Sequence, residues 1–541
     1  MAGRFVSAPT LDQTLAKAVA ARGACTAIVT TDGESVSYAA FAGMVERLAN
    51  SFAGLGVRPG DRVGIYLPKH LLACVLPYAA AACGAVFVPI NAAMKSAQVA
   101  HVLRDAGVVM LLTSPQRLLG LREVVAAAPG LRSVLLTEPA ADIPDIPQCV
   151  HWWQALPEAV GGDVCIADGA SHEAPEQLAA LLYTSGSTGM SKGVMVTHRN
   201  LIVGCESVCE YLRLSADDVL LAALPFSFDY GFNQLVSALS VGATCVLHDF
   251  YLPQDLIAAI ERHQVTGLAG VPTLWTQIAK AWGTRAPNRR LRYFTNSGGA
   301  LRQRVLDDLQ RVFPAAAPYL MYGLTEAFRS TYLPPELVSL RKGSIGKAIP
   351  GAEILVIKDD LTPAGHGESG ELVHCGELVT LGYWNAPEAT AQRFRPVPGR
   401  VAADGSPEIG VWSGDIVSLD ADGFLYFVGR RDGLIKTSGY RVSPDEVEEV
   451  VSRMSGVVEC CAFGVPDDVL GEKIMLAVVA DVQGPVTGAA LSRWCAENLP
   501  NYMLPSEIML CDFIPRNMNG KLDRVALLAD NAAAAAAVVT P

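Results

Sequence analysis

The sequence predicts an α/β protein with a large N-terminal domain of βαβ-built sheets, a small β subdomain attached to it, and a small α+β C-terminal domain. Three observations lead there. From Ser35 to Val271, short apolar runs of strand character alternate with segments of helical length, the pattern of parallel strands joined by crossover helices. After about Gly343 the helical segments give way to short strands separated by polar turns. From Asp432 a compact unit mixes helices and strands again. A chain of 541 residues is longer than one hydrophobic core usually serves, so division is expected. We place the boundary between residues 1–430 and 431–541.

In chain order, Ser35–Arg47 reads as a strand entering an amphipathic helix that runs toward Gly54, followed by a turn at Val57–Asp61. Val63–Leu67 reads as a buried strand, residues 69–82 as helical and Ala85–Pro89 as a strand. The run Leu71–Ile90 has membrane-like apolarity, but Pro77, Gly84 and Pro89 interrupt it. A buried helix turning into a core strand is expected there, not a span. Val219–Leu224, Ala243–Leu247 and Gly267–Val271 read as strands, and Asn233–Ser240 and Leu256–His263 as helices. The β subdomain has strands at Ile354–Ile357, Gly370–His374 and Gly423–Phe427. Gly365–Gly370 fits G-x-G-x-x-G, yet it opens a strand instead of a helix, which removes the dinucleotide reading. Pro444–Met454 and Gly488–Glu497 read as helices, Val457–Gly464 and Ile474–Val479 as strands. The alanine-rich end, Asn531–Thr540, receives no function.

Composition narrows the function classes. Hydrophobic residues make up 51% and charged residues 18%, and 42 basic against 54 acidic side chains give a net charge of −12. With no basic cluster, nucleic acid and anionic membrane surfaces are disfavoured as partners. The 13 cysteines show no paired C-x-x-C spacing. Cys205 and Cys209 sit four apart and Cys460 and Cys461 are adjacent, but neither pair has the second half of a zinc site. Met1–Asp12 lacks the features of a signal peptide. The expectation is a cytoplasmic protein with reduced thiols and no membrane span.

The chemistry centres on Leu181–Val194, where an apolar strand meets Thr184-Ser185-Gly186-Ser187-Thr188-Gly189, then Lys192 and a second apolar run. Glycines let backbone approach a ligand closely, and successive amides and hydroxyls can cradle phosphate. The stretch is not a Walker A loop, which would need glycine at 191 and serine or threonine at 193; Ser191 and Gly193 stand there. The bland alternative is a flexible surface turn.

Tyr183–Gly193 resembles the adenylate-forming superfamily of acyl-CoA synthetases, peptide-synthetase adenylation domains and luciferases. Six further stretches match in the family's order: Asn296–Ala300, Tyr322–Glu326, Gly370–Leu372 with Gly382–Trp384, Trp412–Asp415, Gly429–Asp432 with Ile435–Arg441, and Pro515–Lys521. Leu224–Gly231 and Tyr322–Pro335 look most similar to the branch named for AMP-forming acyl-CoA ligases of bacterial exosortase A systems. The resemblance implies ATP-dependent activation of a carboxylic acid as an acyl-adenylate, with pyrophosphate released, followed by transfer to the thiol of CoA or of a carrier-protein pantetheine.

It also implies roles. Lys521 matches the mobile catalytic lysine that bridges carboxylate and phosphate; its bland alternative is a solvated tail lysine. Glu326 matches the magnesium ligand, with Thr184 as hydroxyl partner; alternatively it only complements a helix dipole. Ser185, Gly186, Ser187, Thr188, Gly189 and Lys192 would hold the β- and γ-phosphates. Met190-Ser191 replace the family's frequent proline before the lysine, which loosens the loop without removing a ligand. Gly298, Gly299, Ala300, Tyr322, Gly323 and Thr325 belong to nucleotide-packing segments. Asp415 and Arg430 would take the ribose, or else form a surface ion pair. Asp432 falls at the hinge of a C-terminal domain that is mobile in the family, or in a fixed turn. Gly439 matches the segment approaching the thiol arm.

The acid pocket is expected at Phe228, Asp229, Tyr230 and Asn233. Phe228 stands where acyl-CoA synthetases commonly have histidine. Asp229 stands where amino-acid-activating domains bind the substrate's ammonium group, which would make the substrate an amino acid and the acceptor a carrier protein. A structural aspartate capping a turn explains it equally. A luciferase-type oxidoreductase and an inactive binding homologue are the other classes; Glu326, Asp415, Arg430 and Lys521 together argue against the latter.

Overall fold

Two sheets and their covering helices carry most of the residues that the sequence analysis singles out, and Gly439 lies between two strands of a third. The structure is a computed structural model describing residues 10–141, 143, 145–157, 176–184, 190–301, 303–430, 434–481, 484, 486–515, 524 and 527–528, with residues 429, 430, 441 and 445 described by backbone alone.

The first sheet orders its strands as Cys149–Trp152, Ser133–Leu136, Val108–Thr113, Arg62–Tyr66, Val86–Pro89, Leu178–Thr184 and Lys192–Thr197. Its pairs are parallel except the last. Strands covered on both faces read as continuous apolar runs, and Val108–Thr113 is buried at every position. The segment of membrane-like apolarity forms the buried helix Leu71–Ala82, which holds Pro77 in its interior, followed by Val86–Pro89. Among the described residues no helix is long and apolar enough to cross a membrane.

The second sheet has a parallel half formed by Thr26–Val29, Thr244–Leu247, Val219–Ala222, Gly267–Gly270, Tyr293–Asn296 and Ala317–Tyr322. The expected β subdomain is attached to this body as its hydrogen-bonded continuation. Thr331–Leu333 folds back antiparallel on Ala317–Tyr322, Ser344–Ala348 pairs next, and Leu425–Arg430, Pro407–Leu419, Ser369–Gly376 and Ala352–Ile357 extend the same sheet. An edge with unpaired backbone groups is a template for further pairing, and the chain fills it with itself. Gly365–Gly370 is the turn and strand entry expected: Glu368 accepts from Gly365 N at 2.7 Å and pairs with Lys358.

The helix expected at Asn233–Ser240 starts earlier, spanning Asp229–Val241 and stopping at Gly242 in the left-handed region. Asp229 in its first turn complements the helix dipole. The adjoining helix His198–Leu212 opens on a capping box between Thr197 and Asn200.

Beyond 430 a separate sheet forms from Tyr440–Val442, Ile435–Thr437, Gly471–Ala480, Val457–Asp467 and Glu507–Leu510. Helices Pro444–Ser452 and Gly488–Asn498 cover it around a core including Val447, Leu476 and Leu491. Every cysteine among the described residues is a free thiol.

Candidate active site

The strands Leu178–Thr184 and Lys192–Thr197 run antiparallel, with Thr184 opposite Lys192. Ser185, Gly186, Ser187, Thr188 and Gly189 between them lie outside the described residues, as do Asp432, Lys521 and the side chain of Arg430. The flanks are clamped. Tyr183 donates to Asp105 Oδ2 at 2.5 Å, and His101 Nε2 lies 2.8 Å from Ser191 O. Gly193 leaves room for the Tyr183 ring, which a Cβ there would meet at 3.1 Å. The segment Leu381–Trp384 lies along the far edge of the second strand: Leu381 N donates to Met195 O, Met195 N to Gly382 O and Trp384 N to Gly193 O, all within 2.8–3.0 Å.

That pairing aims Tyr383 at Glu326, which sits on the 3₁₀ turn Thr325–Ala327. The Tyr383 hydroxyl donates to Glu326 Oε1 at 2.5 Å, and Arg393 Nε lies 4.0 Å from the same oxygen. Lys192 adjoins the cluster, its Nζ 5.7 Å from the centre of the Tyr383 ring. Burial lowers the Lys192 pKa, opposed by the Glu326 charge and assisted by that of Arg393. Among the described residues no three His, Cys, Asp or Glu side chains group to hold a metal. Magnesium held largely by phosphate oxygens and water needs only one or two protein oxygens. The Glu326 carboxylate and Thr184 hydroxyl, both on the wall of the central cavity, have that donor chemistry.

This cavity, of about 690 Å³, brings together Thr184, Phe228, Asp229, Tyr230, Gly298, Gly323, Thr325 and Glu326 from the large domain with Gly439 from the small one. The acid-pocket segment reaches it by a tight reversal at Pro225–Gly231, where a Cβ on Gly231 would come 1.9 Å from Pro225 O. Lys69 braces this wall. Its buried ammonium donates to Leu224 O and lies 4.6 Å from the centre of the Phe226 ring, and burial lowers its pKa to about 8. Tyr230 is anchored by its hydroxyl, 2.5 Å from Thr295 Oγ1. Asn233 is not on the cavity wall: it lines a small void behind the wall and accepts from Ser237 Oγ at 3.2 Å.

The small domain meets the large one glycine to glycine. Gly298 and Gly439 both have φ of +81°. A Cβ on Gly298 would stand 3.1 Å from Gly439 O, and one on Gly439 would stand 2.6 Å from Val271 Cγ1. Next to Gly439, Tyr440 stacks on Tyr502 at 3.7 Å, meets Phe228 edge-on at 4.9 Å, and adjoins Asn91. Of the remaining nucleotide residues, Asn296 Nδ2 donates to Gly299 O at 2.9 Å, fixing the turn before Ala300, which is solvent-exposed. Tyr322 donates to Asp415 Oδ2 at 2.5 Å. Asp415 is fully buried and opposite Arg430 in the sheet, and neither it nor Tyr322 lies on the cavity wall.

Tyr383, Arg393, Arg329, Lys69 and Tyr440 are contributors that residue-level reading missed. Tyr383 and Tyr440 stood within matching motifs, and that was their only signal.

Residues 15–384 match the family described as AMP-binding enzyme, and residues 446–521 match its C-terminal domain. The chain belongs to the AMP-binding enzyme family. Among relatives of this AMP-binding enzyme, a feruloyl-CoA synthase of Amycolatopsis sp is 32% identical over 91% of this chain and 93% of its own. An L-proline–[L-prolyl-carrier protein] ligase of Streptomyces coelicolor is 31% identical over 91% of each. The o-succinylbenzoate CoA synthetase of Bacillus subtilis, solved with a product analogue, superposes with a TM-score of 0.79 at 25% identity, covering 95% of this chain and 97% of that one. This AMP-binding enzyme is accordingly an ATP-dependent, AMP-forming acid–thiol ligase of the acyl-CoA synthetase type.

Proposed function

We propose that the protein divides this reaction between two arrangements of its small domain, with CoA as the thiol acceptor. A carboxylate attacking the α-phosphate of ATP brings two anions together, so the site must supply positive charge and fixed donors where charge accumulates. Residues 185–189 and Lys192 hold the β- and γ-phosphates and receive the departing pyrophosphate. Glu326 and Thr184 would hold magnesium, which neutralises phosphate charge. Tyr383 orients the Glu326 carboxylate, and Asp415 with Arg430 takes the ribose once the Tyr322 contact opens. Lys521 approaches the carboxylate and α-phosphate when the small domain turns about Asp432.

The observation that carries the reading is the position of Gly439 on the same cavity as Thr184, Glu326 and the Phe228–Tyr230 wall. In this arrangement Gly439 and Tyr440 border a route along which a pantetheine thiol reaches the acyl carbonyl. Its sulfur adds to the carbon, and AMP leaves with the bonding electrons of the acyl–phosphate bond. A hinged domain lets each half-reaction have its own assembled site. The second reading, an amino acid loaded onto a carrier protein, rests on Asp229 lining this cavity. Its place in the first helical turn accounts for a carboxylate without any substrate amine, and we favour the acyl-CoA ligase.

The test is Lys521→Ala. Acid-dependent ATP–pyrophosphate exchange is expected to disappear while transfer from preformed adenylate to CoA largely survives. Unchanged exchange in this variant refutes the divided mechanism. Asp229→Ala separates the two substrate readings, since only an amine-binding role predicts selective loss with amino acids.

A further inference from the structure

Arg329 is a buried cation on the wall of the acid pocket that the catalytic scheme does not use. It is 2% exposed and lines both the central cavity and a small void behind it. The chain delivers it inward by an unusual route. Phe328, just before it, has φ +57° and ψ −89°, a conformation that side-chain-bearing residues rarely adopt. The Phe328 ring fits because Gly204 on the facing helix has no side chain; a Cβ there would come 2.6 Å from it.

A guanidinium has five N–H donors. Nη1 donates to Ser297 Oγ at 3.1 Å, and the Tyr211 hydroxyl adjoins the group. Nε is buried with no hydrogen-bond partner among the described residues. The guanidinium lies over the rings of Tyr230 and Phe328, 4.5 and 5.3 Å from their centres. Such contacts offset part of the cost of burying a cation, but among the described residues no carboxylate forms an ion pair with it. A desolvated charge with donor capacity to spare, facing a substrate cavity, calls for an anion from the ligand.

The reacting carboxylate is not that anion. It must lie beside the α-phosphate, on the side of Thr184 and Glu326. The void behind Arg329 is lined by Tyr211, Tyr230, Tyr293 and Thr295, and among the described residues by none from the strands Leu178–Thr184 and Lys192–Thr197 that flank the phosphate loop.

We propose that Arg329 reads a second anionic group on the acid, so that the enzyme activates dicarboxylic acids in preference to monocarboxylic acids of equal length. This rests on the ligase reading and names its substrate class. Planar guanidinium–carboxylate pairing is directional and strong, which makes the residue a selector rather than a general anchor.

The experiment is ATP–pyrophosphate exchange with glutarate against valerate and adipate against hexanoate. The wild-type enzyme is expected to prefer the diacids at least about tenfold in kcat/KM, the scale of one charge-assisted pair. Arg329→Met should lower diacid kcat/KM by about 30-fold, mainly through KM, and narrow the gap to the monoacids, while Arg329→Lys keeps part of the preference. Thermal-shift titration of the wild-type protein with glutarate and valerate, without ATP, reads the same selectivity should the Met variant not fold. Equal loss for both acid classes in Arg329→Met, or a wild-type preference for monoacids in exchange or thermal shift, overturns the assignment and leaves the ligase reading standing. Exchange with none of the four acids, when a wider panel of acids is equally silent, overturns the ligase reading itself.

Discussion

The hydroxyl of Tyr383 donates to Oε1 of Glu326 at 2.5 Å, across 57 residues of sequence. Burial, together with the Glu326 charge, holds the Tyr383 pKa far above its usual value, so the hydroxyl keeps its proton and remains a donor at any working pH. It fixes a carboxylate that we assign to magnesium. Groups that orient a metal ligand typically matter by about 10–100-fold in affinity. Tyr383→Phe is therefore expected to raise the magnesium concentration needed for half-maximal exchange by roughly that factor, with little change in the KM of the acid. A magnesium titration of exchange in both proteins measures it; superimposable curves refute the role.

Gly439 is constrained twice, by its positive φ and by Val271, whose Cγ1 would lie 2.6 Å from any Cβ placed there. Left-handed backbone alone costs a side-chain-bearing residue about 1–2 kcal/mol, before the clash is counted. Gly439→Val should slow single-turnover transfer of preformed adenylate to CoA by about tenfold or more, and affect pyrophosphate exchange much less. Rapid-quench measurement of the two half-reactions separates them.

Glu446, in the first turn of helix Pro444–Ser452, lies beside Gln98 of the large domain. Burial raises its pKa from 4.5 to about 7, with the Glu449 charge adding to the shift and Gln98 opposing it. Tyr502 also faces this carboxyl. The docked state holds a proton that an exposed carboxyl would release. Docking is thus strongest below about pH 4.5 and weakens as pH rises through about 7. The transfer half-reaction should accordingly slow relative to adenylation across that window, and Glu446→Gln should flatten the dependence. A slope retained in that variant assigns it elsewhere.

Gly231 permits the reversal that presents Phe228–Tyr230 to the cavity. A methyl there would overlap Pro225 O at 1.9 Å, and overpacking of this kind costs about 1–3 kcal/mol. Gly231→Ala is expected to lower the Tm and raise the KM for the acid together. Unaltered thermal unfolding would mean that the reversal relaxes freely.

Alternation of apolar strands and helices was legible because both sheets have strands that are nearly all buried, as in Val108–Thr113. Thr184, Glu326, Asp229 and Gly439, each drawn from a different matching stretch, line one cavity. What the sequence hid depends on pairings made at long range. Arg329 lies inside the Tyr322–Pro335 stretch, but its inward course shows only when Gly204, on another helix, is seen to make room for the Phe328 ring. Asn233 shares a helical face with Asp229, yet one turn further along it has already passed behind the cavity wall. The hydroxyl of Tyr322 covering Asp415 has no local signature, because it joins two strands that are not neighbours in the sheet.

The backbone-to-backbone seam at Gly298 and Gly439 has a kinetic consequence. Facing glycines bury almost no apolar area, and the hydrophobic contribution to holding surfaces together scales with that area. In the proposed two-arrangement scheme the seam would therefore set where the small domain stops without adding much to how long it stays. Dwell time falls instead to the rim, where Tyr440 meets Phe228 and Asn91 and Glu446 meets Gln98. Turnover frequency should be adjustable by changes at that rim while the registration of the reacting groups, fixed by the seam, stays the same.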